Sequence, residues 1–204
     1  MRRTLFSFLL GLLLLTVQEV FPQSFNGGLL AGVTFSQVDG DHYAGFHKLG
    51  LTAGTYISLP VSRHLDLQME LKYTQMGAHS SHTEVVEYGY QPYDLTLHYA
   101  EIPMMLRCNF GRSFALEAGA SLDFLLKQHG ELDATTQYWK LNFFSITGNF
   151  GMHFLLTRHL GLGARMMYSI TPMQTNPTPL YWFDHSYNKV VQFTLTYNFL
   201  SPAR

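Results

Sequence analysis

The sequence has little charge, one cysteine and, after its first residues, no apolar run long enough for a membrane-spanning helix. Charged residues make up 13% of its 204 residues and the formal net charge is −1, which excludes the basic surface that binds nucleic acid. The lone Cys108 excludes an intrachain disulfide and lies too far from the start to carry a lipid anchor. The chain is instead 47% hydrophobic and 15% aromatic, which favours a protein surrounded by lipid.

The first 23 residues have the pattern of a secretory signal peptide. Met1-Arg2-Arg3 precedes an apolar run from Leu5 to Val17, and a more polar stretch with Pro22 follows. The run is shorter than the roughly 20 residues that a spanning helix needs. We therefore expect an exported chain with a signal peptide over residues 1–23 and one domain over residues 24–204.

The remaining sequence alternates apolar and polar residues with a period of two, which is typical of β-strands with unlike faces. The alternation is unbroken in Leu65–Thr74. Further segments show it with varying regularity and bring the total to about eight strands: Phe25–Phe35, Leu49–Ser58, Leu95–Phe110, Phe114–Lys127, Phe144–Leu156, Leu160–Ile170 and Val191–Phe199. Their length suits tilted strands that cross a bilayer, which need about 9–11 residues.

The connections between these segments alternate in length. Pro60–His64, Gly111–Ser113 and Thr157–His159 are tight, and two of them share the pattern Ser/Thr-Arg-His, which indicates a repeated hairpin geometry. The other four are long: Asp39–His47, Gly77–Asp94, Gln128–Trp139 and Thr171–Lys189. We predict an all-β fold, a single antiparallel up-and-down transmembrane β-barrel of about eight strands, with short turns in the periplasm and long loops outside.

The polar faces of these segments collect ionisable residues that such a barrel would point inward. We interpret them as a structural network that fills a narrow lumen, in preference to a pore, because about eight strands leave room only for side chains. Opposite charges should meet Lys72 or Arg165, and the sequence leaves the pairs open. The network comprises Asp66, Glu70, Lys72, Glu117, Asp123, His153 and Arg165.

Glu101-Ile102-Pro103 interrupts a strand segment with a residue that cannot donate a ladder hydrogen bond. We predict a β-bulge here, which would shift the faces of the residues that follow. A sharper hypothesis has the bulge aim the carboxylate of Glu101 into the lumen near Arg107.

The long loops hold most of the histidines, which raises metal and hydrolase hypotheses. His79 and His82 are a weak metal signal without a third ligand, and Ser80, Ser81, His82 and Glu84 show only proximity in sequence. We therefore predict no catalytic site, metal or cofactor. A partner-binding loop is the other candidate, since Tyr181, Trp182, Phe183 and Tyr187 gather exposed aromatics beside prolines.

Several short pieces, in order, resemble the PorT-like outer-membrane β-barrel proteins of Gram-negative bacteria. The most distinctive are Gln37-Val38-Asp39-Gly40 and Glu101-Ile102-Pro103, and Phe25-Asn26-Gly27-Gly28 and Tyr197-Asn198-Phe199 stand near the two ends. The resemblance covers nearly the whole mature chain. It implies a small outer-membrane barrel, and one branch of the family is tied to protein secretion. Unlike the common barrel ending, Phe199 is followed by residues 200–204.

The favoured function is an integral outer-membrane barrel without enzyme activity, in a structural or adaptor role linked to other envelope or secretion proteins. Outer-membrane lipid is then its first partner. Two alternatives stay open: a barrel hydrolase or acyltransferase with its site at the outer rim, and a periplasmic lipocalin-like binder. The second would bury Leu65, Leu67, Met69 and Leu71 around a ligand.

Overall fold

A computed structural model describes residues 25–39, 46–79, 94–131, 141–173 and 187–200, and these residues form eight antiparallel strands. Each strand pairs with the next and β8 pairs with β1, which closes an up-and-down barrel and confirms the predicted fold class. None of the described residues forms a helix long and apolar enough to cross a membrane. The strands are β1 (Asn26–Asp39), β2 (Lys48–Pro60), β3 (Leu65–His79), β4 (Asp94–Phe110), β5 (Phe114–Glu131), β6 (Phe144–Leu155), β7 (Leu160–Ser169) and β8 (Tyr187–Asn198). The predicted signal peptide lies outside the described residues and stays a prediction.

The three short connections lie on one rim of the barrel. The turns at Ser62 and Thr157 have the same hydrogen bonds, as their repeated sequence predicts: each hydroxyl oxygen accepts the amides two and three residues later, at 3.3 and 3.2 Å and at 3.3 and 3.0 Å. In the third turn Gly111 has a φ of 70°, which glycine adopts without a Cβ clash. All three turns are compact connections between adjacent strands, and the strand ends on either side of the long connections lie at the opposite rim.

The outer wall of the barrel is apolar and the lumen is polar over most of its height. In β3, Leu67, Met69 and Leu71 are 39%, 45% and 60% exposed, whereas Glu70 and Lys72 between and beside them are 2% exposed. Exposed leucine, methionine and phenylalanine side chains cover the other strands in the same way. This distribution suits lipid outside the barrel, and it contradicts the lipocalin-like alternative, which required the apolar face to be inside.

The pattern reverses near the rim that carries the long connections. There the inward side chains form a buried apolar cluster, the outer-end core, which comprises Val38, Met76, Ala78, Leu95, Leu97, Tyr99, Met167, Met173 and Val190. On β3, β4 and β5 the outward side chains at this end are largely polar: Gln75 and His79, Thr96 and His98, Lys127 and His129. At the ends of β2 and β7 they stay apolar, since Leu49 and Ile170 are both 61% exposed. Apolar inside and polar outside is the arrangement of a β-sheet in water. The ends of β3, β4 and β5 therefore extend past the apolar band, as the 17 and 18 residues of β4 and β5 allow.

Pro103 lies in a regular strand, so the predicted bulge at Glu101-Ile102-Pro103 is wrong. Burial alternates through it, with Glu101, Pro103 and Met105 all inward. The proline only interrupts the pairing of β3 with β4, between Met69↔Met104 and Lys72↔Glu101, and the register is the same on both sides. The register shift comes instead between His98 and Tyr99, where β5 contributes one additional residue. This register shift lies at the outer end of the two strands, where a bulge can bend a strand beyond the apolar band.

Candidate functional site

The lumen is crossed by three buried ionisable side chains, here called the Arg165 cluster. Arg165 on β7 donates from Nη1 and Nη2 to the carboxylate of Glu70 on β3, at 2.9 and 2.8 Å. It also donates from Nε and Nη2 to Oε1 of Glu117 on β5, at 3.0 and 2.7 Å. The side chains are 8%, 1% and 3% exposed. One guanidinium therefore joins strands on different sides of the barrel through charge-assisted bonds.

Neighbouring side chains complete the hydrogen bonding of this cluster. Gln68 donates to Oε1 of Glu70 at 2.7 Å, and Arg107 donates from Nη2 to Oε2 of Glu117 at 3.2 Å. Both carboxylates thus accept bonds at each oxygen. Burial of ions is tolerable only when they are paired and hydrogen-bonded in this way.

A second buried ion pair lies nearer the long-loop rim. Nζ of Lys72 is 3.0 Å from Oε2 of Glu101, and both side chains are fully buried. Lys72 also donates to Oε1 of Gln192 at 3.1 Å, and the Thr74 hydroxyl donates to Oε2 of Glu101 at 3.1 Å. This second pair fills the lumen between the Arg165 cluster and the outer-end core.

Asp123 is a buried carboxylate that takes no part in these ion pairs. Among the described residues, the buried carboxylates are those of Glu70, Glu101, Glu117 and Asp123, whereas the buried lysine and arginine side chains are Lys72 and Arg165. The partly buried Arg107 adds a third cation. Asp123 accepts a hydrogen bond from Thr147 and lies beside Glu101 in the register of β4 and β5, yet forms no ion pair among the described residues.

Replacement of this carboxylate should not weaken the barrel. In Asp123→Asn the amide oxygen can still accept from Thr147, and a buried carboxyl group without a cation partner is replaced by a neutral amide. We expect the free energy of unfolding in lipid vesicles, measured by urea titration, to stay the same or to rise by about 1 kcal/mol. The matched control is Glu101→Gln, which takes the carboxylate from Lys72 and should lower that free energy by about 3 kcal/mol. Equal losses in the two variants would contradict this assignment.

The structure places all seven predicted lumen residues inside the barrel and resolves the pairs that the sequence left open. Arg165 pairs with Glu70 and Glu117, and Lys72 pairs with Glu101, whereas the sharper hypothesis placed the Glu101 carboxylate near Arg107. Asp66 and His153 lie nearer the short turns. Asn109 donates to Oδ2 of Asp66 at 2.7 Å, and Nε2 of His153 is 2.9 Å from the Thr196 hydroxyl.

Most of the loop candidates lie outside the described residues. These are Tyr181, Trp182 and Phe183 of the predicted partner-binding loop, and Ser80, Ser81, His82 and Glu84 of the hydrolase hypothesis. Tyr187 begins β8, and its ring stacks on Tyr168 with centroids 5.8 Å apart. His79 lies 3.6 Å from Asp94. Within the described part of the chain, no three His, Cys, Asp or Glu side chains come close enough to hold a metal.

A cavity opens at the short-turn rim and was not foreseen from the sequence. This cavity, here called the vestibule, has a volume of about 570 Å³ and extends from the turns to Arg107, Asn109 and His153. Its charged lining consists of Arg63, Arg107, Arg112 and Asp66. At its inner end Arg107 contacts Glu117, so the Arg165 cluster separates the vestibule from the rest of the lumen. The barrel thus has a pocket that is accessible from one side only.

Comparisons with known proteins agree with this architecture. The family model described as outer membrane protein beta-barrel domain matches residues 19–174, which is more than half of the chain. No curated protein matches the sequence.

Several solved outer-membrane structures are similar to this chain at low sequence identity. Neisserial surface protein A is 12% identical with a TM-score of 0.52, and the match covers 84% of this chain and 96% of that chain. Ail, the attachment invasion locus protein of Yersinia pestis, is 12% identical with a TM-score of 0.47, covering 85% and 98%. OprG from Pseudomonas aeruginosa is 10% identical with a TM-score of 0.42, covering 86% and 94%. At such identities the first of these supports the fold alone.

Proposed function

Because this chain belongs to the outer membrane protein beta-barrel domain family and is an integral outer-membrane barrel, we propose that it acts there as a non-enzymatic, non-conducting structural or adaptor protein. The observation that carries this proposal is the filled lumen. The Arg165 cluster, the Lys72–Glu101 pair and the outer-end core succeed one another along the barrel. A solute that entered from the short-turn side would have to break buried ion pairs and then cross an apolar layer.

Conductance measurements test the filled lumen directly. The purified full-length chain in a planar lipid bilayer should show no stepwise ion conductance, because a lumen packed with side chains leaves no water column. The matched variant is Arg165→Ala with Glu70→Gln and Glu117→Gln, which empties the centre of the barrel and leaves no unpaired carboxylate of the Arg165 cluster there; Arg107, which loses Glu117, lines the vestibule. Steady conductance of the wild-type protein would refute the proposal, whatever the variant does.

The proposed orientation places the short turns and the vestibule in the periplasm, as in outer-membrane barrels generally. Ser113→Cys in a Cys108→Ala background tests it, since the turn is exposed and the variant then has one thiol. A membrane-impermeant maleimide should label this cysteine only after the outer membrane is permeabilised. Labelling on intact cells would show that the protein has the opposite orientation.

The resemblance to PorT-like barrels supports a more specific role, in which the adaptor serves a protein secretion system. The long loops and the predicted aromatic loop that includes Tyr187 would then contact envelope or secretion proteins. Deletion of the gene followed by quantitative comparison of the secreted and outer-membrane proteomes tests this role. We expect specific proteins to be lost from the medium and to accumulate in the periplasm, and unchanged proteomes would remove the secretion link.

A further inference from the structure

We propose that the vestibule is a binding site for a short acidic peptide segment presented by a periplasmic partner protein. This inference rests on the proposed orientation and deepens the adaptor role, because it assigns the contact with a partner to the inner rim. It differs from the sequence-based expectation, which placed recognition in the long loops on the other rim.

The charge of the vestibule indicates an anionic ligand. Among the described residues, three arginines and one aspartate line it, and one of these arginines, Arg107, is paired with Glu117. Oδ2 of Asp66 accepts a hydrogen bond from Asn109, so the one carboxylate of the lining already has a protein partner. Arg63 and Arg112 are exposed at the mouth, and neither forms an ion pair within the described segments. A concave site in which one sign of charge is in excess attracts ligands of the opposite sign.

The inner end of the vestibule is formed in part by Arg107, whose side chain is 12% exposed and donates from Nη2 to Oε2 of Glu117 at 3.2 Å. Arginine is the side chain best suited to a carboxylate, because its planar guanidinium can donate two parallel bonds. The vestibule therefore has an arginine at its inner end as well as two at its mouth.

The shape and the remaining lining favour a peptide over a lipid headgroup. The vestibule lies inside the ring of strands, so a phospholipid would have to leave the apolar outer wall to place its phosphate there. Its lining alternates aromatic and aliphatic side chains such as Phe114 and Leu155 with the amides and hydroxyls of Asn26, Ser58 and Asn198. Its volume of about 570 Å³ falls within the range of roughly 300–1,000 Å³ that is usual for ligand pockets.

The repeated turns supply a matched control. Arg63 and Arg158 occupy the same position in two turns with the same hydrogen bonds, but only Arg63 lines the vestibule. Both arginines can contact lipid phosphate at the rim. Loss of binding in a variant of Arg63 and Arg112, but not in Arg158→Gln, therefore separates the vestibule from general contact with the membrane surface.

The experiment uses the full-length barrel in nanodiscs of zwitterionic phosphatidylcholine and an amidated tetraglutamate peptide as the probe. Isothermal titration should show saturable binding that weakens as ionic strength rises. The double variant Arg63→Gln, Arg112→Gln should bind about tenfold more weakly, and Arg158→Gln should bind like the wild-type protein. A tetraglutamine peptide should not bind.

Several outcomes would overturn the inference: equal binding of tetraglutamine, no loss in the double variant, or the same loss in Arg158→Gln. A second experiment tests whether the anion that binds in the vestibule is the headgroup of a lipid. If native mass spectrometry from phosphatidylglycerol nanodiscs shows lipid retained by the wild-type protein and lost only in the double variant, while tetraglutamate does not bind, the site is a lipid site. Failure of this inference leaves the conductance and labelling results of the proposed function untouched.

Discussion

Replacement of Arg165 by methionine is expected to lower the free energy of unfolding by at least about 3–5 kcal/mol, the largest effect of any single change in the lumen. The reason is the pair of carboxylates that Arg165 neutralises. Glu70 and Glu117 would remain buried, and Glu117 would keep only its contact with Arg107. Urea titration in phosphatidylcholine vesicles, followed by far-ultraviolet circular dichroism and by the gel-mobility difference between folded and heated barrel, measures this loss.

The control restores neutrality without restoring the ion pairs. In the triple variant Glu70→Gln, Arg165→Met, Glu117→Gln neither carboxylate of the cluster stays charged. Arg107 loses its partner Glu117 but lines the open vestibule, and we expect stability within about 1–2 kcal/mol of the wild-type protein. Recovery in the triple variant assigns the loss in Arg165→Met to uncompensated charge. If the single variant is as stable as the wild-type protein, or the triple variant is no better than the single one, the Arg165 cluster does not have the role assigned to it.

Leu71→Arg should also destabilise the barrel strongly, by about 2–4 kcal/mol, because it places a cation on the lipid-facing wall near the middle of β3. Leu71 is 60% exposed on that wall, so in water the same substitution would be close to neutral. The measurement is the same urea titration in vesicles. A loss of this size indicates that lipid surrounds the side chain, because the substitution removes no protein contact with a comparable contribution to the free energy of unfolding.

Val61→Arg is the matched control for depth. Val61 is 56% exposed but lies in a short turn at the rim, where a long cationic side chain can reach the headgroups and water. The expected loss is about 0–1 kcal/mol. Equal effects at the two positions would mean that Leu71 does not face the hydrocarbon core and would contradict the membrane assignment of the wall.

Strand alternation made most of the fold predictable. A period of two assigns each side chain to one of two faces, so the inward position of Glu70, Lys72 and Glu117 follows once one face is known to be apolar and long enough for lipid. The lengths of the connections then indicate which strands are neighbours around the barrel. The segments predicted from the sequence overlap all eight strands. The largest errors in their bounds are at the outer ends, where the inward side chains change from polar to apolar.

The pairs across the lumen could not be predicted, because they depend on the stagger of the closed sheet. Arg165 and Glu70 are 95 positions apart in sequence, and the height at which they meet is set by the shear accumulated over the strands between them. Sequence reasoning also read every inward face as polar. Leu95 and Leu97 are apolar residues that point inward. They lie an even number of positions from Glu101, so alternation places all three on the same face. The inward face becomes apolar where the outside of the strand faces water and no longer faces lipid.

The predicted bulge failed for a local reason. A proline removes one amide hydrogen, but Pro103 keeps extended geometry and its neighbours remain in register. The vestibule had no sequence signal of its own, since its lining comes from turns and strand ends that are far apart along the chain. The arginine present in each short turn was the one available hint, and a solvated turn explains an arginine equally well.

The reversal of faces at the outer end has a consequence for where this protein meets its surroundings. On β3, β4 and β5 an apolar filling lies behind a largely polar exterior, which suits water on the wall of this end. The strand ends that lead into the connection between β3 and β4, and into the one after β5, are therefore held away from the lipid-facing band.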